Sequence, residues 1–399
     1  MTASDPPPNP SAPDASMPPA PRRSSTAAII AVVVVVLIIV GGVAVAYMAH
    51  VGPFATSNGG CSGTQGTISG AGSTFVFPLM NAWSMAYLSA KCVQVNYQSV
   101  GSGTGITDLT SKLVGYGASD APLSATQRAA LPGPAFTIPE AAGAVVITYN
   151  VPGVSSGLNL TGAIIASIYL GAVTSWNDSS IQAANPHTTL PDQAIVVVHR
   201  SDGSGTSFAF TSYLSAESST WASTVGKGTT VVWPAGIGAK GSTGVAGEVA
   251  LTTGAIGYVE LTYALLNNIG YANIQNPAGT FVKANVTTTQ AAVAAGSGSL
   301  PPGSGDWYNV TLLNEPGTNT YPIATFTYLM VYGDLGAVYG SDMTQGQATQ
   351  LVQFLWWVVH DGQATNPTLF FVPLPANVVS LDETTIGQIT YNGGALTSH

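Results

Sequence analysis

Charge is what this sequence has least of. Charged residues make up 7% of its 399 positions, against roughly 25% in an ordinary soluble protein. Beyond position 50 only 7 Lys and Arg face 16 Asp and Glu, and the net charge is -9. No basic stripe is available to a nucleic-acid backbone, which argues against nucleic-acid binding. A surface poor in both signs suits strongly acidic surroundings, where carboxylates are neutral and each added lysine only repels its neighbours. Cysteine is almost as scarce: Cys61 and Cys92 are the only two. They exclude a Cys-rich zinc site and a disulfide-dense scaffold. Two readings of them stand, a pair formed outside the cell or two unrelated thiols. Five histidines are spread widely with no metal-ligand spacing. No G-x-S-x-G elbow surrounds Ser102 or Ser204, the Gly/Ser turns lack the G-x-x-x-x-G-K-[ST] phosphate loop, and no paired catalytic carboxylates or Ser/His arrangement stands out. The expectation is therefore a protein without catalysis, metal or cofactor. Apolar content is nonetheless 46%, so the low charge is not that of a charged disordered chain. The length suits about two domains.

What is present begins with an N-terminal segment. Residues 1–26 open with a Pro-, Ser- and Ala-rich stretch without periodicity and read as a disordered cytoplasmic tail. Ala27 to Ala49 gives 23 residues without a charge. As a helix they span about 34 Å, enough for a bilayer core. Arg22 and Arg23 precede the run and no basic cluster follows it, so the N-terminus is expected inside and the remainder outside. The expectation is a single-pass cell-membrane anchor, with cleavage as the alternative. Residues 50–67 read as a tether.

From residue 68 the chain alternates apolar strands, Gly/Ser turns and amphipathic helices, an α/β rhythm. The unit strand, glycine-rich turn, helix recurs around residues 70–75, 101–105 and 202–206. In open α/β folds such turns lie at the C-terminal ends of strands, where ligands bind. The helix starts present unpaired N–H groups and a partial positive charge. Three such turns meeting would surround a small oxyanion.

Arg200 ends an apolar strand and begins RSDGSGTSF; beyond residue 50 the only other arginine is Arg128. Its guanidinium offers a fork of donors to an oxyanion. Asp202 either braces that guanidinium or caps the next helix. Ser204, Gly205 and Thr206 continue the turn, and Ser102 lies in the GSGTG turn. Each hydroxyl reads as an anion donor or as a helix cap. Thr74 offers its hydroxyl and Phe75 its backbone N–H. Asp120, in GYGASDAPLS, is the unusual member. An ionised carboxylate only accepts hydrogen bonds, so it is useful beside an anion only if the anion carries a proton. Phosphate keeps one near neutral pH and sulfate does not, so Asp120 would admit the first and reject the second. His199 and Arg200 are adjacent on a strand and point to opposite faces, which reads His199 as packing.

These segments resemble the phosphate-specific substrate-binding proteins of ABC uptake transporters. The resemblance covers roughly 68–399 and rests on GAGSTFVFPLMNAW (70–83), VNYQSVGSGTGI (95–106), GYGASDAPLS (115–124), VVVHRSDGSGTSFAFTSYLS (196–215), VVWPAGIGAKGSTGVAGEV (231–249), GAIGYVELTYALLNN (254–268) and YPIATFTYLMVY (321–332). It implies an α/β, two-lobed periplasmic-binding-protein-like fold of type II with hinge strands, here preceded by the transmembrane helix. The first lobe would comprise 68–147 and 323–399, and the second 148–322. The family's ligand contacts fall on Thr74, Phe75, Ser102, Asp120, Arg200, Ser204, Gly205 and Thr206, with Asp202 as brace. It further implies an extracellular, monomeric binding domain that captures inorganic phosphate without chemistry and hands it to permease subunits. A binder of sulfate, molybdate or arsenate, a phosphate sensor and a phosphatase are the alternatives. Two departures stand out. His199 precedes Arg200 where relatives often carry two basic residues, and GSGTG replaces the commoner GSSGG or GSGGG. NLT (159), NDS (177), NVT (285) and NVT (309) are candidate glycosylation sequons.

Overall fold

The computed structural model describes residues 63–398, with Cys61 and Met1. The tail expected over 1–26 apart from Met1, the anchor over 27–49 and residues 50–60 and 62 of the tether lie outside the described residues. Among the described residues no helix is long and apolar enough to cross a membrane.

The chain from Gly59 onward is one compact unit. Strand β1 (Gly66–Gly72) begins two residues before the expected start at 68. It is followed by helix α1 (Phe77–Lys91), β2 (Val93–Ser99), α2 (Ser102–Thr110), β3 (Tyr116–Ser119) and the long β4 (Ala135–Tyr149). A second series holds β5 (Val196–Arg200), α3 (Gly205–Glu217), β6 (Ile237–Ala239), α4 (Gly241–Leu251) and β7 (Ala255–Glu260). The chain then returns through β8 (Ile323–Tyr332) and α5 (Gln345–Val359).

The strands line up in the order β2-β1-β3-β8-β4-β7-β5-β6. β1 runs parallel to β2 and β3, and β5 runs parallel to β6 and β7. Between these two parallel groups lie β8 and β4, antiparallel to each other and to their outer neighbours. The result is a two-lobed α/β fold whose long central strands run through both lobes.

Local sequence explains the elements. β2 buries Val93 and Val95 and exposes Gln94 and Asn96, the period-2 pattern of a strand with one wet face. β8 is buried at every residue and β4 at all but its first, which fits their mainly apolar composition, with Glu140 the charged exception. α1 carries proline in its first turn, where no donor is lost, and buries Leu79, Met80, Trp83 and Tyr87 on one stripe. It ends at Cys92, whose backbone is left-handed. Cys92 Sγ lies 2.06 Å from Cys61 Sγ. In α5, Trp357 packs edge-on against Tyr87, as expected of a core residue, and Trp356 stacks on His360. One irregularity matters below. Thr327 of β8 pairs with Ala141, but the next residue, Tyr328, pairs with Pro139. Glu140 is the extra residue of that β-bulge.

Candidate anion-binding site

Every residue named as a candidate from the glycine-rich turns lies at or just past the C-terminal end of a parallel strand. β1 leads to Ser73 and Thr74, β2 to Ser102, β3 to Asp120, and β5 to Arg200 and the 202–206 turn. Two glycines make the convergence possible. Gly72 has φ +146°, and a Cβ there would sit 2.0 Å from the Ala118 carbonyl oxygen. Gly205 lies against the Asp120 backbone, and a Cβ would meet its nitrogen at 2.5 Å.

Hydrogen bonds then join the two parallel groups of strands across a cleft. The Gly103 N–H donates to the Gly203 carbonyl at 2.8 Å. The Gly205 N–H donates to Ser102 Oγ at 3.0 Å. Thr206 Oγ1 donates to Asp120 Oδ2 at 3.1 Å. The Ser242 N–H donates to Thr74 Oγ1 at 3.0 Å, and the two hydroxyls are also 3.0 Å apart.

Arg200 is 4% exposed. Its Nε donates to Asp202 Oδ1 at 2.8 Å and its Nη2 to Asp202 Oδ2, so Asp202 holds the guanidinium in a two-point grip. Asp202 Oδ1 also accepts from the Gly241 N–H at 3.0 Å. The helix cap is Ser204, whose Oγ accepts from the Ser207 N–H. Burial pushes the Asp202 carboxyl up, but the hydrogen bond and charge of Arg200 outweigh it and hold the group below the usual carboxylate range. The Arg200 backbone N–H donates to Tyr258 Oη, and Nη1 lies 3.5 Å from Ser242 Oγ.

Asp120 is 2% exposed. Burial pushes its carboxyl up to about 6, against the Ser73 hydrogen bond, the Arg200 charge and the Thr206 and Thr327 hydroxyls, all of which favour the charged form. Ser73 Oγ donates to Asp120 Oδ1 at 2.5 Å and accepts from the Phe75 N–H at 3.0 Å. The Phe75 amide, expected as an anion donor, is thus hydrogen-bonded to Ser73. Its ring is fully buried, edge-on to Phe371. His199 packs as expected, stacked on Trp233 with centroids 4.8 Å apart. Burial lowers its pKa.

Sequence reasoning passed over Ser73, Ser242, Tyr258 and Thr327. Ser73 sits beside Thr74 in the same GAGST segment. Ser242 follows the pattern already noted three times, since β6 runs through Lys240 and Gly241 into α4; the Gly- and Pro-rich run before it hid the short strand. Nothing local marks Tyr258 or Thr327, which reach the site only through the sheet.

The arrangement offers one fixed cation, several hydroxyls and one buried acceptor. Among the described residues no group of three or more metal-ligating side chains occurs. A cavity of about 410 Å³ shares Asp120 but is otherwise lined by residues such as Phe208, Lys227, Tyr308 and Tyr328. It includes neither Arg200, Ser102 nor Thr74, so the oxyanion donors are not there.

A family model described as a PBP superfamily domain matches residues 60–361. The phosphate-binding protein PstS of Xylella fastidiosa is 39% identical over 320 residues, covering 78% of this chain and 82% of that protein. The phosphate-binding protein PstS of Haemophilus influenzae is 38% identical over 333 residues, covering 82% and 92%. Among solved structures, the phosphate-binding protein of Stenotrophomonas maltophilia superposes with a TM-score of 0.57 at 22% identity, covering 79% of this chain and 92% of that one. That likeness is one of fold.

Proposed function

Because the chain belongs to the PstS family of phosphate-binding proteins within the PBP superfamily, we propose that it captures inorganic phosphate in the cleft between its lobes and delivers it to an ABC-type permease, without chemistry. Its relatives are named for phosphate binding, and nothing in the site resembles a nucleophile paired with a base. The observation that carries the reading is the meeting of a braced, buried Arg200 with a buried Asp120 that accepts from the Thr206 hydroxyl of the turn following Arg200. Arg200 supplies the charge that draws an oxyanion. Asp120 supplies an acceptor that only a protonated oxyanion can satisfy.

In this reading the ion lies beside Arg200 and Asp120, among the turns that carry Thr74, Phe75, Ser102, Ser204, Gly205 and Thr206, with Asp202 behind Arg200. The first lobe is 68–147 with 323–399, and the second is 148–322. β4 and β8 are the hinge strands. The bonds that bridge Thr74 to Ser242, Ser102 to Gly205 and Asp120 to Thr206 belong to the closed form. Residues 27–49 anchor the protein as a single transmembrane helix with its N-terminus inside, leaving the binding domain outside. Cys61 and Cys92 form a disulfide there, in an oxidising compartment.

Titration calorimetry with phosphate, sulfate, molybdate and arsenate at neutral pH tests the proposal. Phosphate should bind and sulfate should not. Equal affinity for the two would overturn the assignment of Asp120 and, with it, phosphate as the ligand.

A further inference from the structure

Asp120 is not the only carboxyl buried beside the cleft. Glu140 is 0% exposed and sits on hinge strand β4 at the bulge opposite Thr327 and Tyr328. A bulge re-aims the side chain of its extra residue. Here it turns Glu140 toward Thr327, whose Oγ1 donates to Glu140 Oε1 at 3.1 Å. The charge of Asp120 also acts on Glu140, so the two buried carboxyls lie within electrostatic reach of each other. Glu140 Oε2 has no hydrogen-bond partner. The Glu140 backbone carbonyl accepts from Gln363 Nε2 at 2.9 Å, which fixes the bulge from the other side.

We propose that Glu140 is a positioning and specificity residue of the phosphate site: it holds its proton so that Asp120 alone carries negative charge, and it sets the alkaline limit of capture. This rests on the reading that Asp120 faces the bound phosphate. A buried carboxyl with an unpartnered oxygen is tolerable only when neutral. Burial, opposed by the Thr327 hydrogen bond and reinforced by the charge of Asp120, pushes the Glu140 carboxyl up to about 8. The groups around it do not supply a cation. Tyr97 and Tyr116 face it and are themselves held well above their ordinary pKa by burial and by Glu140. Glu260 lies on the neighbouring strand, buried, with the Thr262 N–H on Oε2 and no partner on Oε1. Burial raises its pKa well above the ordinary carboxylate range, and the charge of Asp120 acts in the same direction. Arg200 acts on Asp120 from across the cleft. A negative Glu140 would therefore add an unscreened charge behind an anion site whose nearest cation is already committed to Asp202 and the ligand. Bound dianion and ionised Glu140 should exclude each other.

The test is phosphate affinity of the full chain from pH 6 to 10, a range over most of which the ligand remains the monoprotonated dianion. Wild type should hold its affinity to about pH 8 and then lose it, approaching tenfold per pH unit. Glu140→Gln keeps the shape, removes the titration and should remain flat to pH 10. An infrared difference spectrum of wild type between neutral and alkaline pH should show a protonated-carboxyl band disappearing, which also serves if the variant does not fold. Superposable affinity profiles for wild type and Glu140→Gln, or a carboxyl band already absent at neutral pH, would overturn the proposal. Asp120→Asn separates this failure from that of the underlying reading. If Asp120→Asn keeps full discrimination against sulfate, it is the placement of phosphate at Asp120 that is wrong.

Discussion

Glu140 also makes a prediction about folding. The group has a folded pKa of about 8 against 4.5 for the free side chain. Below pH 4.5 both the folded and unfolded chains carry the proton, and the stabilisation is fully present. As pH rises past 4.5 the unfolded chain releases the proton while the folded chain keeps it, so unfolding becomes progressively favoured until the folded pKa is passed. At pH 7 the gap is about 2.5 pH units, or about 3 kcal/mol at 1.36 kcal/mol per unit. That is a sizeable part of a typical total of ~5–15 kcal/mol. Glu260 and Asp382 act in the same sense, since burial holds both well above the usual range, and both Asp382 oxygens lack partners. Asp202 acts in the opposite sense. Burial pushes it up, but Arg200 holds its pKa low, so its contribution is present at neutral pH and is lost only as pH falls below the ordinary range of aspartate. The ligand-free protein should therefore be most stable at about pH 4–5 and weaken steadily toward pH 8. Urea unfolding followed by tryptophan fluorescence, at half-unit pH steps, measures the curve. Glu140→Gln should flatten its neutral limb by about 3 kcal/mol at pH 7. A wild-type stability that rises from pH 4.5 to 7, or a variant curve parallel to it, would refute the reasoning.

Other outcomes follow from the same geometry. Arg200→Met should weaken phosphate binding by about 3–5 kcal/mol, because it leaves the buried anion without its charged partner; calorimetry reads this directly. Gly205→Ala should fold, since alanine suits the start of a helix, but its Cβ would strike the Asp120 and Ala121 backbone nitrogens at 2.5 and 2.7 Å when the lobes meet. Overpacking of about 1–3 kcal/mol should appear as lost affinity and, in small-angle scattering, as a cleft that stays open with phosphate present. The Cys61–Cys92 bridge closes a loop of 31 residues. Thiol labelling without reductant should find no free cysteine, and reduction should cost about 3–4 kcal/mol of stability.

The parts of this design legible in the sequence were those written in local pattern. Apolar alternation in VQVNYQSV marks β2, and the mainly apolar AGAVVITYNV and TFTYLMVYG mark the second half of β4 and β8, because sheet burial imposes those patterns on the chain; the first half of β4, with Pro139 and Glu140, carries no such signal. The turns at 70–75, 101–105 and 202–206 announced themselves by glycine, since only glycine permits contacts as close as Gly72 to Ala118 or Gly205 to Asp120. What stayed hidden was set by pairing between distant segments. The GSGTG turn reads as loop, yet α2 already begins at Ser102, because the Gly203 carbonyl and the Gly205 N–H from the other lobe satisfy groups that a free loop would leave to water.

Glu140 shows why such features resist reading from one dimension. In IPEAAGAVV it is a lone acidic residue, preceded by proline, in a run otherwise suited to a central strand, and local rules would place it at an edge or in a turn. It instead lies at the centre of the sheet, in a bulge between β4 and β8, where a charge would be most costly. A residue that breaks the local rule at such a place is expected to be one that the function requires. Burial raises the carboxyls of Glu140, Glu260 and Asp382 above their ordinary range. Together with the scarcity of charged residues, that fits a protein working in acid. There Asp120, held up to about 6, would lose its power to reject sulfate below that pH. Selectivity for phosphate and stability of the fold should therefore have opposite pH dependences, the first growing and the second falling as pH rises from 4.5 to 7.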